Sequence, residues 1–251
     1  MMTKNFSLSI SGIVILTLFS LGVNAQNLKG AWKLVNYNEK PFTDECIKIY
    51  GDGYFMFAVH AADGSFVSAG GGTYETRGAE YTEVPDFYTR DSTQVRTRLV
   101  YTFSLSPKNE DLTLSTRGGG EVVTETWKKV DEASSPLSGA WRFGARVNDE
   151  GVEAGPRRGG DAPRQTMKIL SAKYFQWAAF NYETKQFSGT GGGTYQLEDS
   201  QYTETVQFFS RDNSRVGKSL TFECKLKGKD WYHKGKGTTG NPVNEVWEKI
   251  K

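Results

Sequence analysis

The chain has 251 residues, a length that suits one large domain or two small ones, with 31 basic and 29 acidic residues and a formal net charge of +2. A charge so close to zero gives no indication of a nucleic acid partner. With two cysteines, Cys46 and Cys224, the chain is not a disulfide-rich scaffold, and we expect both thiols to be unpaired.

The first 25 residues have the pattern of a secretory signal peptide. Lys4 precedes an apolar run that ends at Val23, and the small residue Ala25 suits cleavage. The run is short for a membrane span, which disfavours an uncleaved anchor. We therefore expect residues 1–25 to be removed, and the mature chain to be exported to the periplasm or secreted with no membrane span.

The rest of the chain contains two similar copies of one sequence. The block SAGGGTYETRGAEYTE (68–83) returns as GTGGGTYQLEDSQYTE (189–204), 121 residues later. Each copy also opens on Gly-Ala-Trp, at Trp32 and Trp141, and closes on a Glu-x-Trp-x-Lys motif. Matches that keep the same order indicate an internal duplication.

The repeat sets the domain boundaries. We assign residues 26–130 to a first domain, 131–136 to a linker and 137–251 to a second domain, and expect each half to fold on its own. Residues 26–136 hold 12 basic and 16 acidic residues, whereas residues 137–251 hold 18 and 13. This asymmetry indicates either two ordinary solvated surfaces, or halves that attract each other, or a second half that prefers anionic partners.

Alternation of apolar and polar residues, broken by turn residues about every ten positions, predicts strands throughout. The first copy has candidate strands near 31–37, 46–50, 54–60, 66–75, 80–88, 95–105, 111–117 and 122–129. Short connections imply antiparallel hairpins, and eight such strands close most simply into an up-and-down barrel. The predicted fold class is all-β, with two tandem eight-stranded antiparallel barrels.

Each copy resembles the lipocalin superfamily. The Gly-x-Trp signature of the first strand is present at Trp32 and Trp141, and a basic residue, Lys129 or Lys249, lies in the last strand. The resemblance, which extends to exported lipocalin-like proteins of Gram-negative bacteria, implies that each tryptophan is structural and closes a barrel base under that basic residue. It also implies a small hydrophobic or amphipathic ligand, bound without a cofactor.

The glycine triplet falls in the middle of a strand. Gly70 and Gly72 share the parity of the apolar face, as do Gly191 and Gly193 in the second copy. We expect these structural glycines to permit a sharp bend and to leave interior room for neighbouring rings. A phosphate-binding loop would need a following helix, and the sequence predicts a strand there.

Two glutamates in each copy lie on the apolar face of their strands. Glu83 shares its face with Tyr81 and Phe87, and Glu125 shares its face with Trp127. The counterparts in the second copy are Glu204 and Glu245. Because an unpaired buried charge is costly, each carboxylate bonds to tyrosine hydroxyls in a filled barrel, orients a ligand in a pocket, or performs acid–base chemistry on a substrate such as a sugar.

The candidate ligand-binding residues are therefore Tyr74, Tyr81, Glu83, Glu125, Trp177, Tyr195, Tyr202, Glu204 and Glu245. We expect the second barrel to be the better site, because Trp177 and Trp231 replace smaller residues of the first copy. A long insertion at 145–165 also carries Arg157 and Arg158. It is either a disordered surface segment or a basic lid over an anionic head group.

No motif indicates catalysis. His60 and His233 lie in different copies and cannot form a metal site alone, and we assign no catalytic residue, metal ligand or cofactor. The alternative function is a glycan- or protein-interaction module with solid barrels and functional outer loops. An enzyme that uses an inward carboxylate pair is the third hypothesis.

Overall fold

A computed structural model of the protein describes residues 27–118, 120–157 and 159–250. The predicted signal peptide and Arg158 lie outside the described residues. The strands of the first copy are β1 Gly30–Tyr37, β2 Lys40–Pro41, β3 Glu45–Gly51, β4 Tyr54–His60, β5 Phe66–Arg77, β6 Glu80–Tyr88, β7 Leu99–Leu105, β8 Asp111–Gly118 and β9 Glu121–Asp131. Those of the second are β10 Gly139–Arg146, β11 Arg164–Leu170, β12 Tyr174–Asn181, β13 Gln186–Glu198, β14 Gln201–Phe209, β15 Ser219–Lys227, β16 Asp230–Lys236 and β17 Pro242–Lys249.

The two copies form two closed antiparallel barrels in tandem, which confirms the predicted fold class. In the first, β1 and β3 to β9 pair in chain order and β9 returns to β1, while the short β2 adds to β1 alone. In the second, β10 to β17 close in the same order. Closure leaves each barrel without an open sheet edge.

One predicted strand is too long. The segment expected to be extended from residue 95 begins only at Leu99. Before it, Asp91 caps a 3-10 turn at Ser92–Gln94 by accepting a hydrogen bond from the Thr93 amide, and Arg96 has a left-handed φ of 64°. A turn followed by a left-handed residue interrupts the extended backbone that a strand requires.

The base of each barrel is closed by its first tryptophan. Trp32 is fully buried and donates its indole N–H to the Leu28 carbonyl (2.8 Å), and Trp141 donates to the Leu137 carbonyl (2.7 Å). The ammonium groups of Lys129 and Lys249 lie over these rings, 5.6 and 4.7 Å from the centroids. In both copies the first tryptophan is thus buried, hydrogen-bonded and contacted by a lysine of the last strand.

The glycine triplet lies at a β-bulge between β5 and β6. Gly71 pairs with Phe87 but Gly72 pairs with Pro85, so one residue of β6 is extra. A Cβ on Gly72 would collide with the carbonyl oxygen of Val84, and one on Gly70 would collide with the rings of Phe57 and Tyr88. The second copy repeats the bulge between Gly192 and Gly193, and a Cβ on Gly191 would meet the rings of Trp177 and Phe209. The glycines therefore permit the bend and make room for rings, as predicted.

The barrels pack against each other through an apolar face that the sequence did not reveal. The outward residues of both copies form one buried cluster: Ala31, Ile49, Met56, Ala58, Ala69, Phe87, Met167, Ile169, Ala178, Phe180 and Phe208. A Cβ on Gly71 would meet Met56 and Phe87, so this glycine lets the Phe87 ring lie close to the sheet.

This face is repeated about an approximate twofold axis. His60 stacks on Phe208 with centroids 5.4 Å apart, and Phe180, the counterpart of His60, stacks on Phe87 at 5.1 Å. Phe66 stacks on its own counterpart, Phe187, at 6.2 Å. The two copies meet as the subunits of a symmetric dimer do, with the same patch on both sides.

Candidate functional site

The floor of the first barrel is a buried ion pair between Lys48 of β3 and Glu83 of β6. Their side chains are 5% and 4% exposed, and the ammonium group contacts Oε1 of the carboxylate. The Tyr81 hydroxyl donates to the same oxygen (2.5 Å) and lies 3.1 Å from the Tyr50 hydroxyl. Burial is the largest influence and lowers the pKa of Lys48, but Glu83, Tyr50 and Glu125 act together in the opposite direction and the pKa is raised well above the ordinary value. The lysine is therefore charged inside the barrel.

The second barrel repeats this ion pair. Nζ of Lys168 lies 2.8 Å from Oε1 of Glu204, which also accepts the Tyr202 hydroxyl (2.8 Å). In both barrels aromatic rings surround the ammonium group, with centroids 4.9–5.7 Å away. The rings around Lys48 are Tyr50, Phe55, Phe57, Tyr81 and Trp127, and those around Lys168 are Phe175, Tyr202, Trp231 and Trp247.

Neither lysine was predicted from the sequence to face the barrel interior. In β3 the apolar residues Ile47 and Ile49 flank Lys48, and period-two alternation would place them inside. They face the other barrel instead, so Lys48 points inward. The signal that was available is the repeat itself, because Ile-Lys-Ile returns as Met-Lys-Ile around Lys168.

Above its ion pair the first barrel is hollow. A cavity of about 240 Å³ opens at the end opposite Trp32. Its apolar and aromatic lining consists of Leu34, Tyr37, Phe42, Phe57, Val59, Tyr88, Tyr101 and Trp127. Its polar lining consists of Cys46, Lys48, Ser68, Glu83, Arg90 and Glu125. Of these polar residues, only Glu83 and Glu125 were predicted from the sequence.

Glu125 is the carboxylate of this cavity that holds no cation. It accepts a hydrogen bond from the Trp127 indole (3.0 Å), and no described lysine or arginine lies within ion-pairing distance of it. Burial raises the pKa of Glu125 above its ordinary value, the charge of Lys48 opposes this and that of Glu83 adds to it. The group is thus able to accept a hydrogen bond from a ligand.

The interior of the second barrel carries two buried rings where the first barrel has leucines. Trp231 and His233 stand where the first barrel has Leu112 and Leu114, and both are buried. His233 lies 4.0 Å from the Phe222 centroid, and Trp231 lies 5.0 Å from that of Tyr202. We expected the bulkier residues to mark the better ligand site, but both are buried and packed against other rings. The cavity lies in the first barrel.

The other predicted ligand residues lie away from this cavity. Tyr81 and Tyr202 are fully buried beneath the ion pairs. Tyr195 donates to the Ser171 carbonyl (2.7 Å) near the base of the second barrel, and Tyr74 packs edge-on against Tyr50 near the base of the first. Burial raises the pKa of both Tyr74 and Tyr195 to about 12.

The remaining two candidates belong to the upper part of the second barrel. Trp177 is half-buried against Phe209, with centroids 5.9 Å apart. Glu245 pairs across the sheet with His233, and burial raises its pKa while the charge of Lys168 opposes this. Neither residue lines the cavity of the first barrel.

The long insertion of the second copy lies on the outer wall of its barrel. Arg157 forms ion pairs with Glu153 and with Asp230 at the start of β16, where two of its nitrogens each lie 2.8 Å from a carboxylate oxygen. Val147 packs on Val246 of β17. This bidentate ion pair fixes the guanidinium, so Arg157 does not form a basic lid over an anionic head group.

Cys46 and Cys224 are both free and buried, as expected. Within the described ranges, no group of three or more His, Cys, Asp or Glu residues could hold a metal ion. The same residues include no helix that is both long and apolar enough to cross a membrane.

No protein-family model matches the chain, and no curated protein matches it. Among solved structures, the chain is similar to a crystal structure of an uncharacterized protein from Saccharomyces cerevisiae. The sequences are 14% identical, the match covers 88% of this chain and 97% of that chain, and the TM-score is 0.49. A function therefore has to be inferred from the chemistry of the cavity.

Proposed function

We propose that this chain is an exported, lipocalin-like protein whose first barrel binds a small amphipathic molecule non-covalently and without a cofactor. The observation that carries the proposal is the cavity of about 240 Å³, with an aromatic wall and a charged floor. Small-molecule sites combine apolar lining with a few fixed polar groups in this way. The base formed by Trp32 under Lys129 supports the lipocalin-like relationship, and the pattern of residues 1–25 supports export.

The lining also favours a class of ligand. The volume is somewhat below the roughly 300–1,000 Å³ of pockets for drug-sized molecules, so the ligand is compact. Lys48 and Glu83 neutralise each other, which leaves the Glu125 carboxyl as the acceptor on the floor. A ligand with a hydroxyl or amine directed at Glu125 and an apolar part against Phe42 and Phe57 fits this arrangement.

Replacement of Glu125 by Gln tests the proposal. Native mass spectrometry with lipid extraction of protein from its own host identifies the ligand, and hexanol and hexylamine serve as probes in the meantime. Because a hydrogen bond to a charged group contributes about 1.5–3 kcal/mol, the affinity of Glu125→Gln should fall roughly ten- to a hundredfold. Trp127 lines the cavity, so its fluorescence reports binding.

The second barrel supplies the matched control. Glu245→Gln makes the same chemical change in the filled barrel and should leave the affinity unchanged. A native protein that carries no ligand and binds neither probe would refute the proposal. So would equal affinity loss in both variants, because that would place binding outside the first barrel.

A further inference from the structure

A second cavity of about 180 Å³ lies between the two barrels. We term it the seam cleft. Its polar lining is formed by Tyr54, Thr73, Asp86 and Arg96 of the first copy and by Arg142, Gln165 and Tyr182 of the second. It shares no lining residue with the first-barrel cavity, and ligand sites form preferentially at such domain interfaces.

Two polar atoms of the seam cleft are buried without a partner among the described residues. Gln165 is 4% exposed and donates its amide N–H groups to backbone carbonyls of the insertion, but its Oε1 accepts no hydrogen bond. Arg142 donates from Nη2 to Glu248 (3.1 Å), whereas its Nε has no acceptor. Buried groups of this kind are normally satisfied, so the cleft offers one acceptor and one donor to an occupant.

The first copy contributes an ion pair between Asp86 and Arg96, in which the carboxylate is buried. Asp86 is 8% exposed, and its Oδ1 lies 3.2 Å from Nε of Arg96. The Arg96 guanidinium stacks 3.8 Å from the centroid of the Tyr182 ring, across the seam. Burial raises the pKa of Asp86 to about 6, although Arg96 opposes this. A carboxylate kept where its charge is disfavoured is typical of functional sites.

The repeat shows that the fold does not require these residues. In the second copy, Gln207 and Gly217 take the places of Asp86 and Arg96. In the first copy, Lys33 and Glu45 take the places of Arg142 and Gln165. Gly217 has the same left-handed backbone as Arg96, with φ of 82°, and makes the same 2.8 Å hydrogen bond to its β-bulge. Around Gln207, on the other side of the twofold, the cavity is only about 10 Å³. Arginine in a conformation that favours glycine therefore has a reason outside the backbone.

We propose that the seam cleft binds a small zwitterion, namely a free amino acid with a small side chain. Asp86 and Oε1 of Gln165 would receive the ammonium group, and Nε of Arg142 with the Arg96 guanidinium would receive the carboxylate. This assignment gives each unpartnered atom an oppositely polarised partner. The proposal stands apart from ligand binding in the first barrel.

Calorimetric titration of the full mature chain with glycine, alanine and serine tests it. We expect saturable binding of these amino acids, with acetate and methylammonium at least tenfold weaker because each supplies only half of the contacts. The decisive variant combines Asp86→Gln with Arg96→Gly, since it installs the residues that the other copy carries at the same backbone positions. It should bind roughly ten- to a hundredfold more weakly and retain the melting temperature of the unmodified chain.

Matched controls separate this site from the rest of the molecule. Lys33→Gln, at the counterpart of Arg142, and Glu125→Gln, in the first barrel, should both leave amino acid affinity unchanged. No saturable binding at millimolar amino acid overturns the proposal, as does equal affinity in the double variant. Acetate that binds as well as the amino acids also overturns it, because the cleft would then be an anion site only.

Discussion

Lys48 and Lys168 each form an ion pair in a barrel interior, and the surrounding residues stabilise this arrangement. Moving an ion out of water costs several kcal/mol, which is offset only by good geometry and further hydrogen bonds. Glu83 forms the ion pair with Lys48, the Tyr81 hydroxyl donates to Glu83, and five aromatic rings surround the ammonium group. The sequence predicted the inward glutamates from parity, but not their partners, because the residues that flank Lys48 are as apolar as a core.

Breaking this pair should be costly. Lys48→Met leaves Glu83 buried and unpaired, so the free energy of unfolding should fall by about 3–5 kcal/mol in urea denaturation. Adding Glu83→Gln removes the stranded charge and should restore at least half of the loss. The control is Lys33→Met, which removes the exposed pair with Glu45 and should cost less than about 1 kcal/mol. A similar small loss for Lys48→Met would contradict the role assigned to the pair.

At the scale of strands, alternation and turn residues were sufficient to predict the elements and their closure. Alternation did not predict which side chains face the interior where a strand is buried on both faces or where a bulge shifts the alternation. Phe87 was predicted to face the interior with Glu83, but the bulge at Pro85 shifts the alternation and turns Phe87 toward the second barrel. A bulge leaves no reliable mark in one sequence beyond the glycines opposite it.

Gly72→Ala should therefore destabilise the first barrel. The new methyl group meets the Val84 carbonyl, which belongs to the paired strand and cannot rotate away as a side chain does. Overpacking of this kind costs typically about 1–3 kcal/mol, measurable as a lower denaturation midpoint. Gly159→Ala is the control, because nothing lies within 4 Å of its added Cβ. Equal stability of the two variants would mean that the bulge does not depend on glycine.

At the scale of the whole molecule, the two copies share one backbone plan and differ in what they enclose. The first encloses a cavity, and the second buries Trp231 and His233 where the first has leucines. The repeat was evident from the sequence, but the interface between the barrels was not. Apolar residues on the outer face of a strand do not indicate which surface packs against them. Duplication therefore allowed one barrel to keep a cavity while the seam gained residues that neither copy needs for packing.

Separating the halves tests whether the seam holds them together. The two domains were expected to fold independently, and residues 26–133 and 134–251 separate them by a cut within the linker. Each half alone would expose an apolar face built around Phe87 or Phe208. Because that face is self-complementary, each isolated half should sediment as a homodimer or larger species in analytical ultracentrifugation.

The net charges of the two halves, 12 − 16 = −4 and 18 − 13 = +5, should make the complex between different halves the preferred one, more so at low salt. Mixing the two halves should thus give a one-to-one complex whose melting temperature is close to that of the intact chain. Phe87→Glu should abolish this complex. Val100→Glu is the control, because Val100 is exposed, and it should leave the complex intact. Two monomeric halves that each melt at the temperature of the intact chain would show that the seam adds nothing to stability.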